Sequence, residues 1–257
     1  ALAGFDQPFN QLPSLHIALA VILWALYARR LTGLTRLAME LWFLLICASV
    51  LTTYQHHFID IPTGLLLGAL CLWAWPFADE GKGRPIAAQW QWTRDPARWR
   101  LTALYAAGAL LLGALAIGSG GWGLWLLWGS VSLLLVALAY AAIGAAAFQK
   151  HADGRLSVAA QWLFAPYRAG AWINSRAWTW REPQPVQIAD DVYLGRIPGA
   201  RELAASPFAA VLDLTAEFAM NAGKRTYVSL PVLDLTTPSA AELAQAGGVT
   251  QGGVDHC

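Results

Sequence analysis

Charge is what this sequence has least of. Only 13% of its 257 residues are Asp, Glu, Lys or Arg, against 57% hydrophobic, too few charges to clothe an ordinary soluble domain of this size. A membrane protein is the expected class. Runs of Lys and Arg interleaved with stacking aromatics are also lacking, and the net charge is +1, so a nucleic-acid partner is set aside. Cysteine is scarce: Cys47 and Cys71 lie inside apolar runs and Cys257 is the last residue, which leaves no disulfide framework. An initiator Met is absent, and the chain stops at His256-Cys257. We read it as a piece of a longer chain, whose start says nothing about a signal peptide.

What is present is long apolar stretches, about five of them: 15–28, 37–53, 61–77, 101–117 and 122–148. Crossing a hydrocarbon core takes roughly 20 helical residues, so the first three imply tilt or a thin bilayer. Trp24, Trp42, Trp73, Trp75, Trp122, Trp125 and Trp128 crowd these stretches, where an amphipathic ring favours the interface. The connections alternate in charge. Arg29, Arg30 and Arg36 fall in the first; Lys82, Arg84, Arg94, Arg98 and Arg100 in the third; Lys150 and Arg155 follow the fifth stretch. Residues 1–16, 56–60 and 118–123 carry no Lys or Arg. By the positive-inside rule the basic loops are cytoplasmic, and the other connections face outward, toward a periplasm-like side.

Composition changes near Gln149, so residues 1–150 read as a transmembrane domain of about five spans. Residues 151–185 read as an interfacial segment and linker. There Trp162, Phe164, Tyr167, Trp172, Trp178 and Trp180 accompany Arg168 and Arg176, a mixture suited to lying along headgroups and equally to a plain stalk, and Glu182-Pro183-Gln184-Pro185 ends it. In residues 186–257, β-rich runs at Val192-Tyr193-Leu194, Val211-Leu212-Asp213-Leu214 and Tyr227-Val228-Ser229-Leu230 alternate with Ala-rich pieces. This predicts an α/β unit, cytoplasmic by the same rule. The fold class is therefore mainly α, a polytopic helical bundle followed by a truncated α/β domain.

Two polar groupings border the outward-facing ends: Pro13-Ser14-Leu15-His16 and Gln55-His56-His57-Phe58-Ile59-Asp60. Ser14 follows a proline and precedes an apolar run, which predicts a helix N-cap with its amides and positive dipole end turned outward, attractive to phosphate. His56 and Asp60 are four residues apart, so on a helical turn the carboxylate can hold the imidazole N–H. That would fix the tautomer, leave the other nitrogen nucleophilic and stabilise the cation formed on attack. His16, brought up from the first span, could protonate the leaving oxygen. A single histidine at a membrane interface is ordinarily only a wet polar residue; three ionisable groups at this spacing on one face mark a functional candidate. His57 is read as a substrate-side or packing residue.

These residues resemble the motifs of the PAP2 (type 2 phosphatidic acid phosphatase) superfamily. Its Pro-Ser-Gly-His motif appears as Pro13-Ser14-Leu15-His16, and its Ser-Arg-x5-His-x3-Asp motif as Ser49-Val50, five residues, His56, three residues and Asp60. The resemblance implies a phosphohistidine intermediate on His56, oriented by Asp60, with His16 as general acid, Ser14 and His57 on the substrate side, and a six-helix fold with its site at the membrane surface. Val50 stands where the family has a phosphate-binding Arg. The family's Lys-x6-Arg-Pro motif is absent, since Gly81-Lys82-Gly83-Arg84-Pro85 has the wrong spacing. A cation for the phosphate is therefore expected from a helix preceding Ala1. Leu15 and the double histidine look more like the inositolphosphorylceramide and sphingomyelin synthase branch, so phosphatase and phosphotransferase both stay open.

The runs at 186–196, 211–215 and 230–236, followed by His256-Cys257, resemble the opening of a dual-specificity protein phosphatase domain. In that family His-Cys begins the loop His-Cys-x5-Arg, whose amides cradle phosphate and favour the thiolate. The resemblance implies Cys257 as nucleophile, His256 beside it in the phosphate loop and Asp234 as general acid. The alternative for Asp234 is a turn or cap carboxylate before Thr236-Thr237-Pro238. A unit lacking the Arg is expected to be inactive.

The expectation is thus an inner-membrane enzyme: a lipid phosphatase or phosphotransferase with its site on the periplasmic face, fused to a cytoplasmic cysteine-phosphatase domain. Its implied substrate is a phosphorylated membrane lipid. No metal or other cofactor is expected, because His16, His56 and Asp60 already have roles, and the oligomeric state is open. The alternatives are a PAP2-fold binding or transport protein that has lost the chemistry, with Val50 as its mark, and a structural membrane anchor, which has no use for His16 and Asp60.

Overall fold

The computed structural model describes residues 13–52, 60–77 and 84–238. The chain divides into two compact units, Ala1–Phe77 and Ala78–Cys257. The apolar stretches of the chain's middle fall in the same compact unit as the C-terminal strands.

The described residues of the first unit form three helices: α1 (Leu15–Tyr27), α2 (Gly33–Thr52) and α3 (Asp60–Ala74). Ser14 starts α1 as expected, its Oγ accepting from the Ile17 N–H at 3.5 Å. The helix ends where the Arg30 and Leu31 amides both turn back onto the Tyr27 carbonyl. Gly33, at φ +59°, then starts α2 in a backbone region that costs glycine little. Packing in this unit is driven by the absence of side chains. A methyl on Gly64 would lie 2.7 Å from the Ser14 carbonyl and 2.8 Å from Ile17 Cβ; one on Gly68 would lie 2.8 Å from both the Ala18 carbonyl and Val21 Cβ. Four residues along α3 correspond to four along α1 in the same direction, so the two helices run parallel in near-backbone contact. Away from this seam Leu15, Leu19, Leu23 and Tyr27 form an exposed i, i+4 stripe, as lipid-facing residues do.

In the second unit Asp95 caps α4 (Pro96–Ser119) by accepting from the Ala97 N–H at 2.9 Å, with Pro96 in the first turn. This helix begins five residues earlier than the apolar stretch that predicts it, because the cap and not hydropathy sets the start. Its partner is not the single span expected over 122–148. A 3-10 turn, Gly121–Trp125, leads into α5 (Leu126–Leu138), which widens into a π turn at Ala139–Ile143 and breaks at Gly144, φ +74°. Four carbonyls of this turn, those of residues 139–142, receive donors from one neighbouring segment. Arg98 donates to the oxygens of Tyr140 at 2.9 Å and Ala139 at 3.2 Å, while the Thr93 and Gln91 amides donate to Ala141 at 2.8 Å and Ala142 at 2.9 Å. A helix end with its carbonyls paired can stop inside an apolar sequence.

Among the described residues two stretches are long and apolar enough to cross a membrane, Pro96–Ser119 and Gly121–Phe148; Leu15–Tyr27 and Asp60–Ala74 are apolar but shorter. The two long ones differ: α4 is 11% buried within the protein, whereas Gly121–Phe148 is 61% buried. The cover comes partly from α6 (Val158–Leu163) and α7 (Ala165–Trp178). The Tyr167 amide donates to Ser132 Oγ at 3.3 Å and Trp128 Nε1 to the Trp162 carbonyl at 3.0 Å. Trp172, Trp178 and Trp180 are exposed, whereas Arg176 turns inward to the Ile197 carbonyl and Glu202. The exposed face of this segment is therefore aromatic more than basic.

Four short strands follow, with α8 (Ala200–Ala205) between the pairs. Strands β1 (Val186–Ala189) and β2 (Val192–Leu194) form an antiparallel hairpin; β3 (Ala210–Thr215) and β4 (Thr226–Val232) pair in parallel, Ala210 opposite Thr226. They make two separate two-stranded sheets among the described residues. The centre of this region is polar: Lys150 and Asp213 have side chains 0% and 1% exposed and meet at 2.6 Å.

Candidate functional site

Three of the sequence-predicted residues are described in the first unit, and the parallel α1–α3 seam sets their placement. Ser14 caps α1 and is fully buried, with Gly64 against its carbonyl. His16, in the first turn of α1, is exposed. Asp60 is the first residue of α3, one turn before Gly64, and is only 2% exposed. Because α1 and α3 run in the same direction, the seam puts the Ser14–His16 end of one and the Asp60 end of the other on the same side. The opposite end is basic: Arg29 lies 4.2 Å over the ring of Phe77, just beyond the C-termini of both helices. Hydroxyl, imidazole and carboxylate thus occupy one end of the pair and guanidinium the other.

A buried carboxylate at the N-terminus of a helix is stabilised by the unpaired amides and by the dipole. It can fix a neighbouring imidazole at little reorganisation cost. His56 and His57 lie outside the described residues. Ser49 is exposed near the end of α2, its hydroxyl donating to the Ile46 carbonyl at 2.8 Å. The glycines that draw the two helix ends together were missed by a reading centred on ionisable groups. Their signal was Gly64-Leu65-Leu66-Leu67-Gly68, two small residues one helical turn apart in an apolar run.

In the second unit Asp234 is exposed in the turn after β4. Its Oδ1 accepts from the Leu235 N–H at 2.9 Å and its carbonyl from the Tyr140 hydroxyl at 2.9 Å. The carboxylate therefore has a turn-capping contact. His256 and Cys257 lie outside the described residues. The buried polar group nearby is built from Lys150, Asp213, Thr215 and Tyr227. Lys150 Nζ donates to Asp213 Oδ2 and to the Thr215 carbonyl, each at 2.6 Å, while the Tyr227 hydroxyl donates to Asp213 Oδ2 at 2.8 Å and Thr215 Oγ1 to Oδ1 at 2.8 Å. Burial pushes the lysine below its ordinary range, with Asp213 opposing, and pushes the Tyr227 phenol up. Every oxygen of Asp213 is occupied, so this cluster is a packed polar core. Next to it, burial raises the Glu217 carboxyl to about 7. No group of three or more His, Cys, Asp or Glu able to hold a metal occurs among the described residues.

The sequence model of the PAP2 superfamily matches residues 1–74, which contain Ser14, His16, Asp60 and the glycine seam. That match points to phosphatase-type chemistry in the first unit and, with the two apolar helices, to membrane association. No curated protein and no solved structure matches the chain.

Proposed function

We propose that the first unit is a membrane phosphatase or phosphotransferase acting on phosphorylated lipids through a phosphohistidine. The observation that carries this reading is the parallel seam, which gathers Ser14, His16 and the buried Asp60 at one end of α1 and α3. In the proposed step His56 attacks phosphorus with its free ring nitrogen while Asp60 holds the other N–H. The bond from phosphorus to the lipid oxygen breaks, and that oxygen takes a proton from His16. Water, or a lipid alcohol in a transferase, then attacks the phosphohistidine, returns a proton to His16 and frees His56. The site faces the periplasm in this reading, and the alternative is a PAP2-fold protein that binds without turnover.

The test is hydrolysis of fluorescent phosphatidic acid by the full chain in proteoliposomes. His56→Ala abolishes turnover, and acid-labile, alkali-stable phosphoryl labelling of the protein is lost with it, while His16→Ala slows turnover by about 100-fold or more. Wild-type turnover by His56→Ala would overturn the reading.

For the second unit we infer the beginning of a cysteine-phosphatase domain, supported by the parallel β3–β4 pair and the exposed Asp234 in the turn that follows it. Asp234 is the proposed acid and Cys257 the proposed nucleophile, with His256 beside it. Supplying a chain extended through a Cys-x5-Arg loop with para-nitrophenyl phosphate tests this. Retained hydrolysis after Cys257→Ser would contradict it.

A further inference from the structure

The seam between α1 and α3 is closer than packing alone requires. Methyl groups at Gly64 and Gly68 would press on the Ser14 and Ala18 carbonyls at 2.7 and 2.8 Å, and a backbone oxygen cannot swing aside as a side chain can. The glycines of the α4–α5 hairpin give a contrast. A methyl on Gly108 or Gly129 would meet only the tip of a leucine, at 3.2 and 3.1 Å, and one on Gly113 the hydroxyl of Ser130 at 3.2 Å. Helices in lipid gain little from hiding apolar surface from each other, so close approach through small residues sets their spacing.

We propose that Gly64 and Gly68 are positioning residues that set the distance between the His16 and Asp60 ends of the two helices. This rests on the reading of the first unit given above. Gly64 lies one turn from Asp60 and touches the residue that caps the His16 helix. Any side chain there drives the Ser14 carbonyl outward and carries His16 with it, away from the carboxylate that orients the attacking imidazole. Misplacement by about 1 Å is enough to cost about 100-fold in rate, whereas lipid binding, which depends on the surrounding apolar surface, is little affected.

The experiment compares Gly64→Ala, Gly68→Ala and Gly108→Ala with wild type and His56→Ala, all as full chains in proteoliposomes with fluorescent phosphatidic acid. Gly64→Ala is expected to lower kcat by about 100-fold with KM within about twofold, and to shift the alkaline limb of the kcat–pH profile, since the proton donor is displaced. Gly68→Ala, a turn further away, loses less, and Gly108→Ala leaves kcat unchanged. Spin labels at Leu15 and Leu65 separate further in Gly64→Ala than in wild type. Should Gly64→Ala fail to fold, the kcat and pH profile of Gly68→Ala decide. Wild-type kcat and pH profile in the folded glycine variants, with His56→Ala dead, overturns the positioning role and leaves the function intact. Activity in His56→Ala overturns the function itself.

Discussion

The two units of this chain solve the same problem, joining helices in an apolar sequence, by opposite means. In the first unit α1 and α3 meet where side chains are missing, with Gly64 and Gly68 against backbone carbonyls. In the second, the helical hairpin is joined to the strands by charge and hydroxyls: Lys150 from the segment after α5 is buried against Asp213 of β3, and Tyr140 reaches the Asp234 carbonyl. A glycine contact holds a distance but has no alternative state. A buried ion pair is strong only while both partners are present, because the desolvation of each is offset by the other. The first device suits a site that must keep its geometry; the second makes the C-terminal strands dependent on the hairpin.

Breaking the second device should have the largest effect. Lys150→Met leaves the Asp213 carboxylate buried without its cation, and thermal unfolding in detergent should show a loss of about 3–5 kcal/mol. Lys150→Met combined with Asp213→Asn recovers part of this, since Asn still pairs with Tyr227 and Thr215. The next effect is on pH dependence. Burial, reinforced by Asp234 and opposed by Lys150, raises Glu217 from 4.5 to about 7. Between those values the folded chain holds a proton that the unfolded chain has lost, so this contribution is full below 4.5 and declines as pH rises toward 7. The slope is at most about 1.4 kcal/mol per pH unit. Unfolding measured across that range should lose this slope in Glu217→Gln.

Smaller effects sharpen the contrast between glycines. Gly144, at φ +74° and ψ −160° with open space around it, pays only for its backbone, and since that region is nearly closed to other residues Gly144→Ala should cost about 1–3 kcal/mol in the same assay. Gly108→Ala meets only a leucine tip and gains helix propensity, so its stability should match or exceed wild type by up to about 1 kcal/mol. The smallest change belongs to the exposed pair Arg36–Glu40, 2.9 Å apart on α2. Arg36→Ala should shift the unfolding free energy by under about 0.5 kcal/mol, well below the buried pair's effect.

Much of the fold was legible because helix caps are local. Ser14 starts α1 as its position after Pro13 predicts, and the three predicted β-runs at 192–194, 211–214 and 227–230 lie in strands. The start of α4 was misjudged because hydropathy marks the apolar run and ignores Asp95 and Pro96. The end of α5 was legible only in part. Gly144, at φ +74°, marks where the helix breaks, but residues 139–148 are otherwise still apolar, and the donors that satisfy the carbonyls there come from residues 91–98, far away in sequence. The inward turn of Arg176 was hidden for the same reason: its partners Ile197 and Glu202 lie beyond the linker.

For the candidate site, spacing selected His16, His56 and Asp60 as chemistry without saying how the two motifs meet. The sequence alone determined the class of molecule, the cap at Ser14 and the separation of acidic and basic ends, since these depend on composition and on neighbours within a turn or two. Tertiary structure decided that α1 and α3 run parallel and in near-backbone contact, that Asp60 is buried, and that Lys150 finds Asp213. Each of those depends on whether two surfaces distant along the chain fit without a methyl group to spare, and steric fit is a property of pairs that no single segment carries.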